Sequence, residues 1–281
     1  MIRLALFGAA GKMGTRITAR VRNDPEFAVF YVEADEFGEA RLRERGLTPS
    51  TKQAAIRGAD VVVLAVPDNL IAKVAPEIVP GLRSGAMLIC LDPAAPLAGV
   101  LPPRSDITYF VTHPCHPPVV NDETDPEARM DFFGAIKAKQ HIVCALMQGP
   151  ESDYARGEMI CRKMFAPVMR ANRVTVEQMA ILEPAMSETT VLTCMFVIKE
   201  AMEEAVRRGV PEQAALDFLL GHINVNIGIL FGYVNAQFSD GAKLAVERAR
   251  SQIFQPDWKK VFEPDHVMQQ IQAITQARKH G

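Results

Sequence analysis

A short apolar run, Ile2–Phe7, passes directly into Gly8-Ala9-Ala10-Gly11-Lys12-Met13-Gly14 and then into the helical spacing of Thr15–Val21. Strand, glycine turn and helix in that order leave few folds open. The glycines allow a tight turn, a close approach of backbone to ligand, and packing of the helix on the strand. The first N–H groups of the helix stay open, at the positive end of its dipole, which is where a pyrophosphate binds. The spacing is G-x-x-G-x-x-G rather than G-x-G-x-x-G, and a purely structural turn is the competing reading. Its place between an N-terminal strand and a helix favours a dinucleotide. Gly8, Ala10, Gly11, Lys12, Met13 and Gly14 are the expected cofactor contacts.

An acid is expected at the end of the second strand, to hold ribose hydroxyls. Glu33 follows Ala28–Val32 and lies 19 residues after Gly14, with Asp35 as the second choice. A carboxylate there repels a 2′-phosphate and favours NAD over NADP.

Strand-like runs continue at Val61–Val66, Met87–Leu91 and Ile107–Thr112, and further strands are expected at His141–Met147 and Arg173–Val176, around a helix at Glu151–Phe165. Strands alternating with helices, in near-continuous apolar runs, imply an α/β fold of Rossmann type: a doubly wound, mostly parallel sheet. From Glu177 onward the texture is helical only, at Thr189–Arg208, Pro211–Phe231, Ser239–Ile253 and Pro264–Arg278. Two domains are expected, residues 1–176 for nucleotide and 177–281 for substrate and dimerisation.

The charge balance excludes some partners. Lys+Arg number 31 and Asp+Glu 33, so no basic field exists for nucleic acid or an anionic membrane. No uninterrupted apolar run approaches the ~18 residues of a membrane span, and the first residues lack a signal peptide's apolar centre. Five cysteines without a C-x-x-C pair read as reduced thiols in a cytoplasmic protein.

Loops at the carboxyl ends of the strands should carry the chemistry. Pro67 and Asp68 follow one strand and Asp92 another; each is a cofactor neighbour or, for the acids, a helix cap. Thr112-His113-Pro114-Cys115-His116-Pro117-Pro118 follows a third. His113 is a general base or a metal ligand, and His116 is a second candidate. Cys115 has nothing to mark it as a nucleophile. Glu183 stands in an apolar helix just before Pro184, where a break is expected to turn its carboxylate toward a cleft. His222 and Asn226, four apart on an apolar helix, need partners in a core or in a site.

These features resemble the 6-phosphogluconate dehydrogenase-like superfamily. Within it, THPCHPP (112–118), QHIVCALMQGPE (140–151), VTVEQMAILEP (174–184), DFLLGH (217–222) and DWKKVFEP (257–264) resemble the D-apionate oxidoisomerase family. Prephenate dehydrogenases carry His-Pro-Met-x-Gly, whose last three residues are here Cys115, His116 and Pro117. The 3-hydroxyisobutyrate dehydrogenase type uses a lysine, and none occurs between Lys163 and Lys199.

The resemblance implies that NAD takes hydride from the 2-hydroxyl of D-apionate, a branched sugar acid. A hydroxymethyl group then shifts from C3 to C2 to give 3-oxo-isoapionate. Such a ketol shift is similar to the step for which ketol-acid reductoisomerase uses a divalent metal, so His113 and Glu183 become expected metal ligands in an interdomain cleft. His116, His222 and Asn226 are reserves for base or substrate contacts. A simple NAD(P)-dependent dehydrogenase of another hydroxy acid is the alternative, and a non-catalytic NAD sensor a more distant one. The apolar stretches Val191–Val197 and Leu219–Phe231 suggest a homodimer.

Overall fold

The computed structural model describes residues 1–276. Seven strands form one sheet: β1 (Ile2–Phe7), β2 (Phe27–Val32), β3 (Val61–Leu64), β4 (Met87–Cys90), β5 (Thr108–Pro114), β6 (Gln140–Gln148) and β7 (Val168–Arg173). Their order is β2-β1-β3-β4-β5-β6-β7. The first five are parallel, and β6 turns antiparallel against β5 and carries β7 alongside in its own direction. The expected mostly parallel, Rossmann-type sheet is present.

The central strands are apolar on both faces because both faces are covered. Ala5, Phe7, Val62, Leu64 and Leu88 pack into one layer, Leu4, Leu6, Val63, Ile89 and Phe110 into the other. The chain leaves β1 on one side to make β2 and returns on its other side to make β3. That reversal opens a crevice at the carboxyl ends of β1 and β3, the usual ligand position in such sheets.

The last strand differs from expectation. Arg173–Val176 was expected as strand, but β7 is Val168–Arg173 and Thr175 already caps a helix over Val176–Ala180. Thr175 Oγ1 accepts from Gln178 N–H, and the Gln178 side chain accepts in return from Thr175 N–H. This capping box outcompetes the β-branched pair Val174 and Thr175. β7 is the sheet's edge, and Met169 and Arg170, on its two faces, are both exposed, which blurs its apolar signal.

After Ala180 the helix widens into π-type turns over Ile181–Leu192. Pro184 has no N–H to donate within the helix, and the expected break takes this form.

Contacts divide the described chain into two compact units, 1–184 with 268–276, and 185–267. The first contains the sheet. The second consists mainly of helices over Thr193–Arg207, Glu212–Leu230 and Asp240–Ile253. The whole helical stretch Val176–Arg207 is long and apolar enough to cross a membrane, by length and composition alone.

Candidate active site

The glycine turn needs its glycines for want of space. Gly8 has φ +80°, and a Cβ on it would lie 2.4 Å from the Ala65 carbonyl oxygen. A Cβ on Gly14 would lie 2.1 Å from the Gly8 carbonyl oxygen. Turn, first helix and β3 loop therefore touch backbone to backbone. Gly11 caps the helix Lys12–Val21 with no side chain over the helix end, which leaves its first N–H groups to a ligand. Glu33 reaches this turn, with Oε1 accepting from Ala10 N–H at 2.5 Å. Asp35, the second choice, is a helix cap that accepts from Gly38 N–H at 2.8 Å.

A cavity of about 520 Å³ opens in front of the turn. Gly11, Lys12, Met13, Pro67, Asp68, Asp92, His113, His116 and Glu183 all line it. Gly8, Ala10, Gly14 and Glu33 do not line it; they sit in the turn and just after β2.

Strand register brings two of the cavity-lining side chains together. Cys90 of β4 pairs with Val111 of β5, so Asp92 and His113, each two residues further on, leave adjacent parallel strands side by side. One Asp92 oxygen accepts from Ala94 N–H at 2.7 Å, and the other stands 3.6 Å from His113 Nδ1. His113 Nδ1 donates to the Leu91 carbonyl at 3.0 Å, which fixes the tautomer and turns Nε2 toward Glu183, 3.6 Å away. Glu183 comes from the first π-type turn, one residue before the proline.

Ligand atoms of Asp92, His113 and Glu183 all lie within 4.8 Å of one another. The side chains are only 20%, 20% and 23% exposed. Burial, followed by the charge of Asp92, raises Glu183 to about 7. Burial likewise raises Asp92, against the pull of Ala94 N–H and of His113. Two carboxylates and an imidazole at this spacing gain from any cation placed among them, proton or metal. From sequence, His113 and Glu183 are expected here, and Asp92 is expected as a cofactor neighbour or a cap. Asp92 does cap, and its second oxygen joins the group, a position that strand register alone decides.

His116 adopts a left-handed backbone, φ +60°, which is strained for a non-glycine residue. Its Nδ1 donates to the Phe133 carbonyl at 3.0 Å. Desolvation, then the charges of His113 and Arg16, holds it below the ordinary histidine range despite that hydrogen bond. Cys115 is pushed up to about 11, first by desolvation and then by the Cys144 thiol, and stays protonated near neutrality. His222 and Asn226 lie in the other unit, both exposed; the His222 ring stacks on Phe218 at 4.0 Å.

Phe133 and Arg16 also line the cavity, and sequence reasoning missed both. Phe133 sits in a stretch without periodicity, and Arg16 reads as an ordinary helix-surface cation.

Residues 121–275 match the family of phosphogluconate dehydrogenase (decarboxylating) C-terminal domains, and residues 3–94 the coenzyme F420-dependent NADP oxidoreductase family. A D-apionate oxidoisomerase of Rhizobium rhizogenes is 52% identical over 276 residues, 98% of this chain and 100% of that protein. One from Cupriavidus necator is 49% identical, covering 97% of this chain and 99% of its own length. A crystal structure of a semialdehyde dehydrogenase NAD-binding protein from Cupriavidus necator, in complex with calcium and NAD, superposes with a TM-score of 0.95. It is 48% identical, with 98% of this chain and 100% of that one covered. A ketol-acid reductoisomerase from an uncultured archaean shares the fold, with a TM-score of 0.68, 16% identity and coverage of 98% and 82%. Sequence, fold and cavity agree: this chain belongs to the D-apionate oxidoisomerase family.

Proposed function

We propose that this chain is an NAD-dependent enzyme that oxidises and isomerises D-apionate to 3-oxo-isoapionate, with Asp92, His113 and Glu183 holding a divalent cation where the sugar acid binds. The observation that carries the proposal is the convergence of these three side chains on one wall of the cavity that the glycine turn also lines.

The residues suit both bound groups. The turn through Gly8, Gly11 and Gly14 can fold back on its own backbone and on Ala65 only without Cβ atoms, and in that fold the first N–H groups of the helix stay open to phosphates. Glu33 stands at the turn, where a carboxylate favours ribose hydroxyls over a 2′-phosphate and so NAD over NADP. Pro67 and Asp68 line the same cavity beyond the turn, as cofactor neighbours. One imidazole nitrogen and two carboxylates fit several divalent metals. The related Cupriavidus necator structure contains calcium and NAD.

When bound, NAD supplies the hydride acceptor and the cation a Lewis acid for both ketone and alkoxide. The protein's own groups do the rest. The Leu91 carbonyl locks the His113 ring, and Ala94 N–H locks one Asp92 oxygen, so neither ligand needs reorienting when the site fills. His116 carries its proton on Nδ1, bonded to Phe133, and offers Nε2 to take the 2-hydroxyl proton. Its lowered pKa keeps that nitrogen unprotonated at neutral pH.

The helical part supplies substrate contacts and a homodimer interface in this reading, with His222 and Asn226 as reserves. Its support is the exposure of Val191, Phe196, Phe218, Leu230 and Phe231 within the second unit. Five unpaired cysteines suit the cytoplasm. In this reading the partner is a small molecule and not nucleic acid, and the apolar helix Val176–Arg207 is an interface rather than a membrane span.

Calorimetric titration with a divalent cation tests the site. Glu183→Gln should weaken cation binding and turnover by at least about 100-fold. Unchanged affinity and turnover would remove the metal and catalytic roles from Glu183.

A further inference from the structure

One wall of the cavity carries a cation held by apolar groups instead of acids. Arg16, one turn beyond Lys12 in the helix Lys12–Val21, is half-buried and lines the cavity. Among the described residues it makes no ion pair. Its Nη1 donates to Met13 Sδ at 3.4 Å, and its Cζ stands 4.1 Å from the centre of the Phe133 ring.

The loop that carries Phe133 is tied down by hydrogen bonds. Four residues along the helix, Arg20 donates to the carbonyls of Ala135, at 2.7 Å, and Ile136. Asp131 accepts from the N–H groups of Ile136, Lys137 and Ala138 at 3.0, 2.9 and 3.1 Å. The His116 ring lies 6.0 Å from that of Phe133 and 6.2 Å from that of His113. The loop thus steadies the guanidinium on the His116 side of the cavity, next to the chemistry.

A guanidinium stacked on a ring keeps its edge N–H groups available for a planar anion. Asp92 and Glu183 line the same cavity and make that part of it acidic, so an anionic ligand needs a cation of its own. Phosphates already have the turn's N–H groups and Lys12. Arg16 is a further cation lining the cavity, and its edge suits a carboxylate.

We propose that Arg16, steadied by Phe133, pairs with the carboxylate of the sugar acid through two parallel hydrogen bonds and thereby selects acids over neutral polyols. This rests on the function proposed above and adds the residue that sets its substrate class. The competing source of the same oxyanion chemistry is the cofactor's phosphate.

The test measures kcat and KM for D-apionate and for its neutral amide, and the NADH dissociation constant by fluorescence, in the wild type and in Arg16→Gln, Arg16→Lys and Phe133→Leu. The expected result is an Arg16→Gln KM for the acid about 100-fold higher, with the amide unaffected and NADH binding within about twofold. Arg16→Lys should recover only part, since an ammonium neither stacks nor pairs two-pronged. Phe133→Leu should raise the acid KM about threefold to tenfold. An NADH constant raised about 100-fold at an unchanged acid-to-amide ratio would assign Arg16 to phosphate and overturn the proposal. No change in either would leave Arg16 a mere prop for the loop, and overturn it too. If the wild type leaves D-apionate untouched, the proposed reaction fails, and calorimetry of glycerate binding to NADH-loaded protein decides Arg16 separately. Binding lost in Arg16→Gln supports the proposal; binding retained, or absent from the wild type, overturns it.

Discussion

The two compact units put the same residue types to opposite uses. In the first, Leu88, Ile89 and Phe110 vanish between sheet and helices. In the second, Phe218 and Phe231 are 69% and 72% exposed, and the buried hydrophobics of 185–267 are Ala185, Ala215 and Val267. Periodicity tells which face of a helix will be hidden; it does not tell which chain hides it. The first unit is held together by its own core. The second gains its burial from a second copy in the reading proposed here.

Substitutions that act on one unit and spare the other can break this contrast. The largest effect is expected at Gly8→Ala, where the new Cβ meets a carbonyl and the backbone is left-handed. NAD affinity should fall at least about 100-fold by fluorescence titration, because the turn must open to admit the methyl group. Next comes Leu88→Ala, a cavity in a closed core. It should cost about 3 kcal/mol in denaturant unfolding, at any protein concentration. Phe218→Ser is its counterpart in the second unit. It should leave the unfolding of dilute protein nearly unchanged while raising the dimer dissociation constant, in sedimentation equilibrium, about tenfold or more. A Phe218→Ser protein that stays dimeric, or that unfolds like Leu88→Ala, would end the contrast.

The smallest expected effect concerns pH. Glu183 is raised from 4.5 to about 7 on folding. The folded state then binds this proton more tightly than the unfolded chain does. Its contribution is fully present below pH 4.5 and is lost as pH rises through about 7. Melting temperature of the metal-free protein should drop by a few degrees more between pH 5 and 8 in the wild type than in Glu183→Gln. Equal slopes would mean that burial does not hold the Glu183 proton.

Much of the sheet was legible because buried parallel strands are written as apolar runs. Ile2–Phe7 is identical in sequence pattern and structure, and β3 and β4 fall inside the expected runs. β7 was misplaced because an edge strand with Arg170, Asn172 and Arg173 shows no such run. In the candidate site, the glycine turn, Glu33, His113 and Glu183 declared themselves by residue type next to a strand end or a proline. The place of Asp92 beside His113 depends on register between β4 and β5, which no local pattern records. Arg16 and Phe133 meet only because a long aperiodic loop returns to the first helix.

The most direct measurement is NADH formation at 340 nm from NAD and D-apionate, with and without chelator, followed by carbon NMR of the product. Expected are NADH, a hydroxymethyl carbon moved from C3 to C2, and loss of both with chelator. NADH with an unrearranged ketone would contradict the isomerisation and leave a simple dehydrogenase, and chelator-resistant turnover would contradict the cation held by Asp92, His113 and Glu183.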